Sequence, residues 1–344
     1  YLEVVVLTRR AGSSPVPRTS VLPLLTPDRP ALALAPMDGI TDAAMRALMG
    51  ELGGFSYAVS EFLRVSVAVL PAKVFRREVP ELLSGARTPT GLPVQVQILG
   101  GDPDRMAASA LAAVRAGANA IDINFGCPAP TVNRNDGGAS LLRTPCRIRD
   151  VVRAVREAVP TEVPVSAKLR LGWESTDEIL VNAPMAVEGG ANWLTLHART
   201  RMQSYRPPVD WAMVGRVRQM VQVPVVANGD IWNLEDFRRC REVTGCQHFM
   251  IGRAALANPR LPGQIARELG LNSASQLDSA DWESLFRRLV KWCDQSPHTV
   301  LKLKQWIKLA HLHGDFPWFD RLKTATTLDE FFDLLSEQFL AKVG

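Results

Sequence analysis

Eight short apolar runs, each followed by a longer helix-compatible stretch, predict an α/β fold of alternating parallel strands and helices, a (β/α)8 TIM barrel. Two internal echoes support this repetition. Gly117 to Asn124 (GANAIDIN) matches Gly190 to His197 (GANWLTLH), and Val163 to Lys168 (VPVSAK) matches Val223 to Asn228 (VPVVAN), at equivalent points of two β/α units. Beyond residue 280 the strand signals stop and only helical spacing remains, so a small C-terminal helical domain is expected to follow the barrel.

Residues 1–30 carry Pro15, Pro17, Pro23, Pro27 and Pro30 among Ser, Arg and Thr, which disfavours helix and sheet alike and reads as an extension or linker. The barrel is expected over residues 31–270. Its strands are predicted at Ala31–Ala35, Tyr57–Ser60, Val94–Leu99, Ala120–Asn124, Val165–Arg170, Trp193–His197, Val225–Asn228 and His248–Ile251. Helices are predicted between them at Pro103–Ala116, Arg147–Val159, Asp177–Glu188 and Leu234–Val243, several stopped by a glycine (Gly117, Gly189, Gly245). A doubly wound open sheet is the rival, but eight units over about 240 residues suit barrel closure, and no G-x-G-x-x-G follows the first strand. Gly270 to Ala280, rich in Ser, Asn and Asp, reads as a linker to a helical domain over 281–344, with helices at Trp282–Cys293, Val300–His313 and Leu328–Lys342.

With 344 residues, 47% hydrophobic and 22% charged, the chain can bury a large core, which excludes whole-chain disorder. Its net charge of +5 permits a polyanionic partner without requiring one. Five cysteines, odd in number and without a C-x-x-C pair, indicate neither a disulfide framework nor a zinc ribbon; no metal is expected, and a reducing cytoplasm fits. No run approaches the roughly 18 apolar residues of a membrane span.

Active sites of β/α barrels form at the C-terminal ends of the strands. Polar residues are concentrated there: Met37 and Asp38 after the first strand, Gln97 in the third, Asn124 closing the fourth, Lys168 and Arg170 in the fifth, His197 closing the sixth, and Asn228, Gly229 and Asp230 after the seventh. Lys168, Arg170 and Gln97 alternate with apolar neighbours, as inward-facing residues do. Asn228-Gly229-Asp230 and Gly252-Arg253 offer backbone N–H groups and a cation at the two strands where barrels hold phosphate, which implies a phosphorylated ligand. A single such glycine would more often only shape a turn; both pairs together favour the phosphate.

The loop from Asn124 through Cys127 to Gly138 is longer than most β/α connections and could serve as a lid. Cys127, between Gly126 and Pro128, is expected to be reachable from solvent, whereas Cys240, Cys246 and Cys293 read as inert core thiols. Lys168 taken alone has three readings: a Schiff-base nucleophile, a cation facing an anionic ligand, or a structural lysine. Arg170 beside it favours the second and suggests electron-rich oxygens, such as the N1/O2 edge of a reduced flavin or a pyrimidine carbonyl. His197 could bind the same ligand, though a lone strand-end His is often only a packing residue.

Seven short stretches, taken together and in order, resemble the tRNA-dihydrouridine synthase family: Ala35 to Asp42, Gln95 to Gly100, Asp122 to Pro128, Lys168 to Arg170, His197 to Thr200, Ala227 to Ile231 and Ile251 to Arg253. The N-x-G-C-P element is the most telling, and the match spans about residues 31 to 335. The resemblance implies FMN held by Pro36, Met37, Asp38, Gln97, Lys168, His197, Asn228, Gly229, Asp230, Gly252 and Arg253, with NADPH as a transient reductant. It also implies hydride transfer from FMN N5 to C6 of a tRNA uridine and a proton from Cys127 to C5. Asn124 and Arg170 would hold the uracil edge.

Within the family, Phe62 to Val65, Leu70 to Arg76, Thr131 to Asn133 and Lys304 to Trp306 are most similar to the bacterial C-type, which acts on uridine 16 of the D-loop. The implied tRNA contacts are Arg64, Tyr205, Lys302, Lys304, Gln305, Trp306 and Arg321. Between Arg287 and Lys323 lie eight basic residues against three acidic ones, which suits a tRNA-binding helical domain. On a helix there, Val300, Leu303, Ile307 and Ala310 would face the core, with Lys304, Lys308 and His311 outside. Two departures stand out: Asp38 where this type more often has Glu, and Phe125 in place of a smaller residue, which could alter substrate fit. No obligatory protein partner is evident, and a monomer is expected. The rivals are another FMN barrel of dihydroorotate dehydrogenase type, a Schiff-base aldolase using Lys168, and an RNA-binding protein with a dead barrel site.

Overall fold

In the computed structural model, which describes residues 24–271, 281–293 and 298–340, parallel strands alternate with helices. The strands are β1 (Ala31–Leu34), β2 (Tyr57–Val59), β3 (Leu63–Arg64), β4 (Val94–Leu99), β5 (Ile121–Phe125), β6 (Val165–Gly172), β7 (Trp193–Thr200), β8 (Val225–Asn228) and β9 (His248–Ile251). They run in the order β2-β1-β9-β8-β7-β6-β5-β4-β3, and β2 also pairs with β4. That second pairing closes the ring, so the fold is a TIM barrel.

All eight expected strands are present. The additional β3 lies outside the ring, pairing Leu63 and Arg64 with Ile98 and Leu99 at the end of β4. Two residues carry no periodicity, so only the neighbouring strand makes this segment β. Strands β6 and β7 run past their expected ends because their ladder continues beyond Arg170–His197, through an irregularity, to Gly172–Thr200. The predicted helix at Asp177 divides into a short 3-10 turn, Thr176–Glu178, and an α-helix, Ile179–Glu188. Ser175 and Glu178 form a reciprocal capping box at that turn.

Side-chain alternation separates two cores. One fills the space between strands and helices; the other lies inside the barrel and includes Ala31, Ala33, Ala35, Tyr57, Val59, Trp193, Val226 and Met250. Leu25 packs into this inner core, so part of the segment expected to be a bare extension seals the barrel. The rest of that segment, residues 1–23, and most of the expected linker, residues 272–280, lie outside the described residues. Among the described residues, no helix is long and apolar enough to cross a membrane.

The C-terminal helices Trp282–Trp292, His298–His313, Phe319–Leu322 and Leu328–Leu340 pack around an aromatic cluster. Phe286 meets Trp306, Phe316 and Phe331 edge-on at centroid distances of 5.3, 5.9 and 5.5 Å. Val300, Leu303, Ile307 and Ala310 are buried as their spacing predicts. Trp306 is buried with them at 1% exposure, and its indole N–H donates to the Leu256 carbonyl at 2.9 Å. This corrects the expectation that Trp306 contacts RNA: a side chain sealed between the helices and the barrel cannot reach it. Lys302 is likewise turned inward onto Asp42, and Arg288 and Trp292 both bond Glu51, tying these helices to the barrel helix Ala43–Leu52.

Candidate active site

A cavity of about 570 Å³ opens at the C-terminal ends of the strands. Alternation along β5 to β8 sends Asn124, Lys168, Arg170, His197 and Asn228 to its wall. Register sets their heights: Asn124 lies opposite Lys168, Arg170 opposite His197, and His197 opposite Asn228. The two echoed sequence units thus deliver Asn124 and His197 from one repeat, Lys168 and Asn228 from the other, to one rim.

Each group is oriented by a partner. The Asn228 amide donates to the Met250 carbonyl at 2.9 Å, which turns its oxygen toward the Lys168 ammonium at 3.1 Å. Burial, with Arg170 nearby, brings Lys168 down to about 8. Burial first, and then the charges of Arg170 and Lys168, hold His197 well below the usual imidazole range, so it is neutral at pH 7. Its Nε2 is buried without a hydrogen-bond partner on the cavity wall, which leaves it free to bond a ligand there. Arg170 donates to the carbonyls of Gly126 (2.8 Å), Thr200 (3.1 Å) and Ser204 (2.7 Å), bracing the loops that follow β5 and β7.

At the other end lie Gly229, Asp230, Gly252 and Arg253. Gly229 (φ 122°) and Asp230 (φ 47°) both take left-handed backbone conformations, which turn the chain sharply after β8. A Cβ on Gly252 would stand 3.0 Å from the Met37 sulfur and 3.1 Å from the Ala35 Cβ, so these neighbours would have to give by a few tenths of an ångström to admit one. The Asp230 carboxylate is engaged by Arg199 through both terminal guanidinium nitrogens and by Arg253 at 3.4 Å. Arg253 is also sandwiched between Tyr205 and Trp232, at 4.8 and 4.9 Å from the ring centroids. Asp230 therefore serves as an anchor for cations. Arg199, fully buried, and Trp232 were not singled out from the sequence; Arg199 continues the inward alternation of Thr195 and His197, and that was the available signal.

Cys127 stands half-buried on the cavity wall. Burial, with the charge of Asp38 adding to it, pushes its thiol up, so it is protonated at neutral pH. The segment around it is more ordered than a bare lid. It contains a short helix, Pro130–Asn133, and a 3-10 turn, Gly138–Arg143. The Asn124 side-chain oxygen accepts the N–H groups of Gly126 (2.8 Å) and Cys127 (3.0 Å).

Pro36, Met37, Asp38 and Tyr205 also line the cavity. Gln97 does not: it is fully buried one layer below, bonded to Asp122 and Asn124. Phe125 is fully buried in the strand–helix core, because its odd place in the β5 alternation turns it away from the cavity, so the idea that it alters substrate fit does not hold. Arg64 sits beside the Cys127 segment, donating to Thr131 O at 3.3 Å. Lys304 donates to Ala325 O, Arg321 pairs with Glu337, and Gln305 is exposed. Cys240 and Cys246 are core thiols as expected, while Cys293 is half-buried. No group of His, Cys, Asp and Glu among the described residues could hold a metal ion.

The family model described as dihydrouridine synthase matches residues 33–331. The chain belongs to the dihydrouridine synthase family. It is 42% identical to the tRNA-dihydrouridine(16) synthase of Aquipseudomonas alcaligenes, over 81% of this chain and 89% of that one. It is 44% identical to the tRNA-dihydrouridine(16) synthase of Pseudomonas putida, over 83% and 89%. Among solved structures, a 2-naphthoyl-CoA reductase shares the fold with a TM-score of 0.54 at 10% identity, over 83% of this chain and 61% of that one. Histamine dehydrogenase from Rhizobium sp. 4-9 does so at 0.53 and 14%, over 70% and 46%. Membership of the dihydrouridine synthase family makes the chain an enzyme and sets aside the aldolase and the dead-site RNA binder.

Proposed function

We propose that this chain reduces uridine 16 of the tRNA D-loop to 5,6-dihydrouridine, with FMN as its resident cofactor and NADPH as the external reductant. The observation that carries the reading is one cavity lined by the Cys127 thiol, the buried cations Lys168 and Arg170, and an unpartnered His197 Nε2. The names of the relatives supply the position in tRNA.

The residues present fit FMN. Gly229, Gly252 and Arg253 would hold its phosphate, with Asp230 and Arg199 keeping Arg253 in place. Lys168, His197 and Asn228 would meet its ring, and Pro36, Met37 and Asp38 would close the β1 side. When bound and reduced, the flavin supplies hydride for C6 of the uracil. Asn124 has one amide hydrogen on Gln97 and a second for a uracil carbonyl, and Arg170 holds the neighbouring loops around the base. Cys127 delivers its proton to C5, a step suited to a thiol kept in its acid form. The base must leave its stack to enter the cavity, an expense of a few kcal/mol recovered by contacts elsewhere on the tRNA. Arg64, Tyr205, Lys304, Gln305, Lys308 and Arg321 remain available for these, whereas Lys302 serves as a brace to Asp42.

The test is an absorbance spectrum of the purified protein, followed anaerobically by NADPH and then by unmodified tRNA. Flavin bands bleached by NADPH and restored by tRNA are expected; a protein that neither carries nor takes up FMN would overturn the reading.

FMN affinity should also fall as pH rises through about 8, where Lys168 loses its proton. The sign follows from the bound form: charged Lys168 makes the stronger bond to an electron-rich ligand edge, and each pH unit above its pKa removes up to about tenfold of that form. Fluorescence titration of flavin-free protein with FMN across that range checks it, and Lys168→Met should flatten the profile.

A further inference from the structure

Beneath the cavity floor a directed chain of buried side-chain hydrogen bonds leads up to Asn124, and its lower members, Gln95, Ser166 and Asp122, have no part in the proposed chemistry. The Gln95 amide donates to the Ile121 carbonyl at 3.0 Å and to the Ser166 hydroxyl oxygen at 2.9 Å. The Ser166 hydroxyl hydrogen is therefore free for Asp122, and Ser166 donates to Asp122 Oδ1. Asp122 Oδ2 accepts from the Gln97 amide at 2.7 Å, and Gln97 Oε1 accepts from the Asn124 amide at 2.8 Å. Asn124 Oδ1 then accepts the backbone N–H groups of Gly126 and Cys127.

The direction of every link is set from the two ends. Backbone N–H groups at the Cys127 end can only donate, so Asn124 must present its oxygen to them and its nitrogen to Gln97. Gln97 must then present oxygen to Asn124 and nitrogen to the next group, which has to be a pure acceptor. Asp122, 2% exposed, supplies this in its charged form: burial raises its carboxyl to about 6, against the hydrogen bonds from Ser166 and Gln97, so it is ionised at pH 7. An amide at position 122 could satisfy Gln97 only by withdrawing its acceptor from Ser166.

We propose that Asp122 is a positioning residue whose carboxylate, through Gln97, sets the orientation of the Asn124 amide, and so both anchors the Cys127 loop and turns an N–H toward a base carbonyl. The second half rests on the proposed uridine substrate; the anchoring does not. A donor placed at 122 leaves a donor without its acceptor: the Ser166 hydroxyl if the new amide keeps its oxygen on Gln97, or the backbone N–H groups of the Cys127 loop if it keeps its oxygen on Ser166 and Gln97 and Asn124 turn over in response. Ser166 and Gln97 are fully buried, whereas Gly126 and Cys127 are half-buried, so the fault settles where water can replace the lost partner, at the Cys127 loop.

The test is the rate of iodoacetamide alkylation of Cys127 in the flavin-loaded protein, quantified by peptide mass spectrometry against the exposed Cys146 in the same sample. Asp122→Asn is expected to speed Cys127 alkylation about tenfold, as loss of two hydrogen bonds to the loop would allow. Asp122→Asn with Gln97→Glu restores donor-to-acceptor order along the chain and should return the rate to within about twofold of the parent. Ser166→Ala, which removes a buried partner of Asp122 but leaves Gln97 and Asn124 oriented, should also stay within about twofold. An unchanged rate in Asp122→Asn, an equal acceleration in Ser166→Ala, or no rescue by the double variant would each overturn the proposal. Should Asp122→Asn fail to fold, the double variant decides: folded with a protected Cys127 supports it, and any other result refutes it. None of these readouts involves tRNA or turnover, so the relay and the proposed reaction fail separately.

Discussion

Cys127→Ala is expected to retain FMN and to oxidise NADPH at the parent rate while losing dihydrouridine formation by about 10²- to 10⁴-fold, the usual range for a deleted general acid. The split follows from where the thiol stands. Cys127 lies on the cavity wall in a segment after β5, whereas the groups suited to the flavin come from the ends of β1, β6, β7, β8 and β9. Removing one sulfur leaves Asn124 bonded to the Cys127 N–H, so the loop keeps its anchor. Because burial raises the thiol, product formation in the parent, measured with FMN kept saturating, should persist above the pH at which an ordinary cysteine ionises, then decline as the acid form is lost. Mass spectrometry of digested tRNA and NADPH absorbance measure the two halves; an unchanged product yield would remove Cys127 from the mechanism.

Trp306→Ala is expected to destabilise the C-terminal helices by about 3–5 kcal/mol, the typical result of truncating a buried Trp. The side chain meets Trp282 and Phe286 edge-on at 5.8 and 5.3 Å, and its N–H holds the Leu256 carbonyl, which loses its partner in the variant. Trp306→Phe should recover much of the packing but not that hydrogen bond. Urea unfolding followed by Trp fluorescence and far-UV circular dichroism gives the loss, and tRNA affinity should fall only as the helices loosen. An RNA-contacting Trp would behave oppositely, with weaker binding at unchanged stability.

The case of Trp306 shows where reading the sequence stops. Helical spacing correctly assigned Val300, Leu303, Ile307 and Ala310 to the core, and Trp306 lies one residue before Ile307, within reach of the same face. Family resemblance pointed it outward, because similarity reports which residue types recur and not which surface they meet. Gln97 is the same lesson inside the barrel. Alternation correctly turned it inward, but period-two patterning names a face and says nothing of height, and the stagger between β4 and β5 places Gln97 beside Asp122, below the cavity.

Lys302 and Asp230 were legible as charged residues, but the ion pairs they make were not. A side chain's charge is written in the sequence, but whether a partner already neutralises it is not. Asp42 is 260 positions from Lys302, and Arg199 is 31 from Asp230. Such pairs form only when closure of the ring brings distant strand ends and helices together.

The features legible along the chain are therefore local and periodic: eight strands from their short apolar runs, the barrel from their repetition, the site from polar residues at strand ends, and the family from seven ordered motifs. The extra strand β3, the burial of Trp306, the depth of Gln97, the Arg199–Asp230–Arg253 anchor and the chain from Asp122 to Cys127 were decided by tertiary structure alone. Each depends on hydrogen bonds or packing between segments remote in sequence, whose distances exist only once the barrel closes.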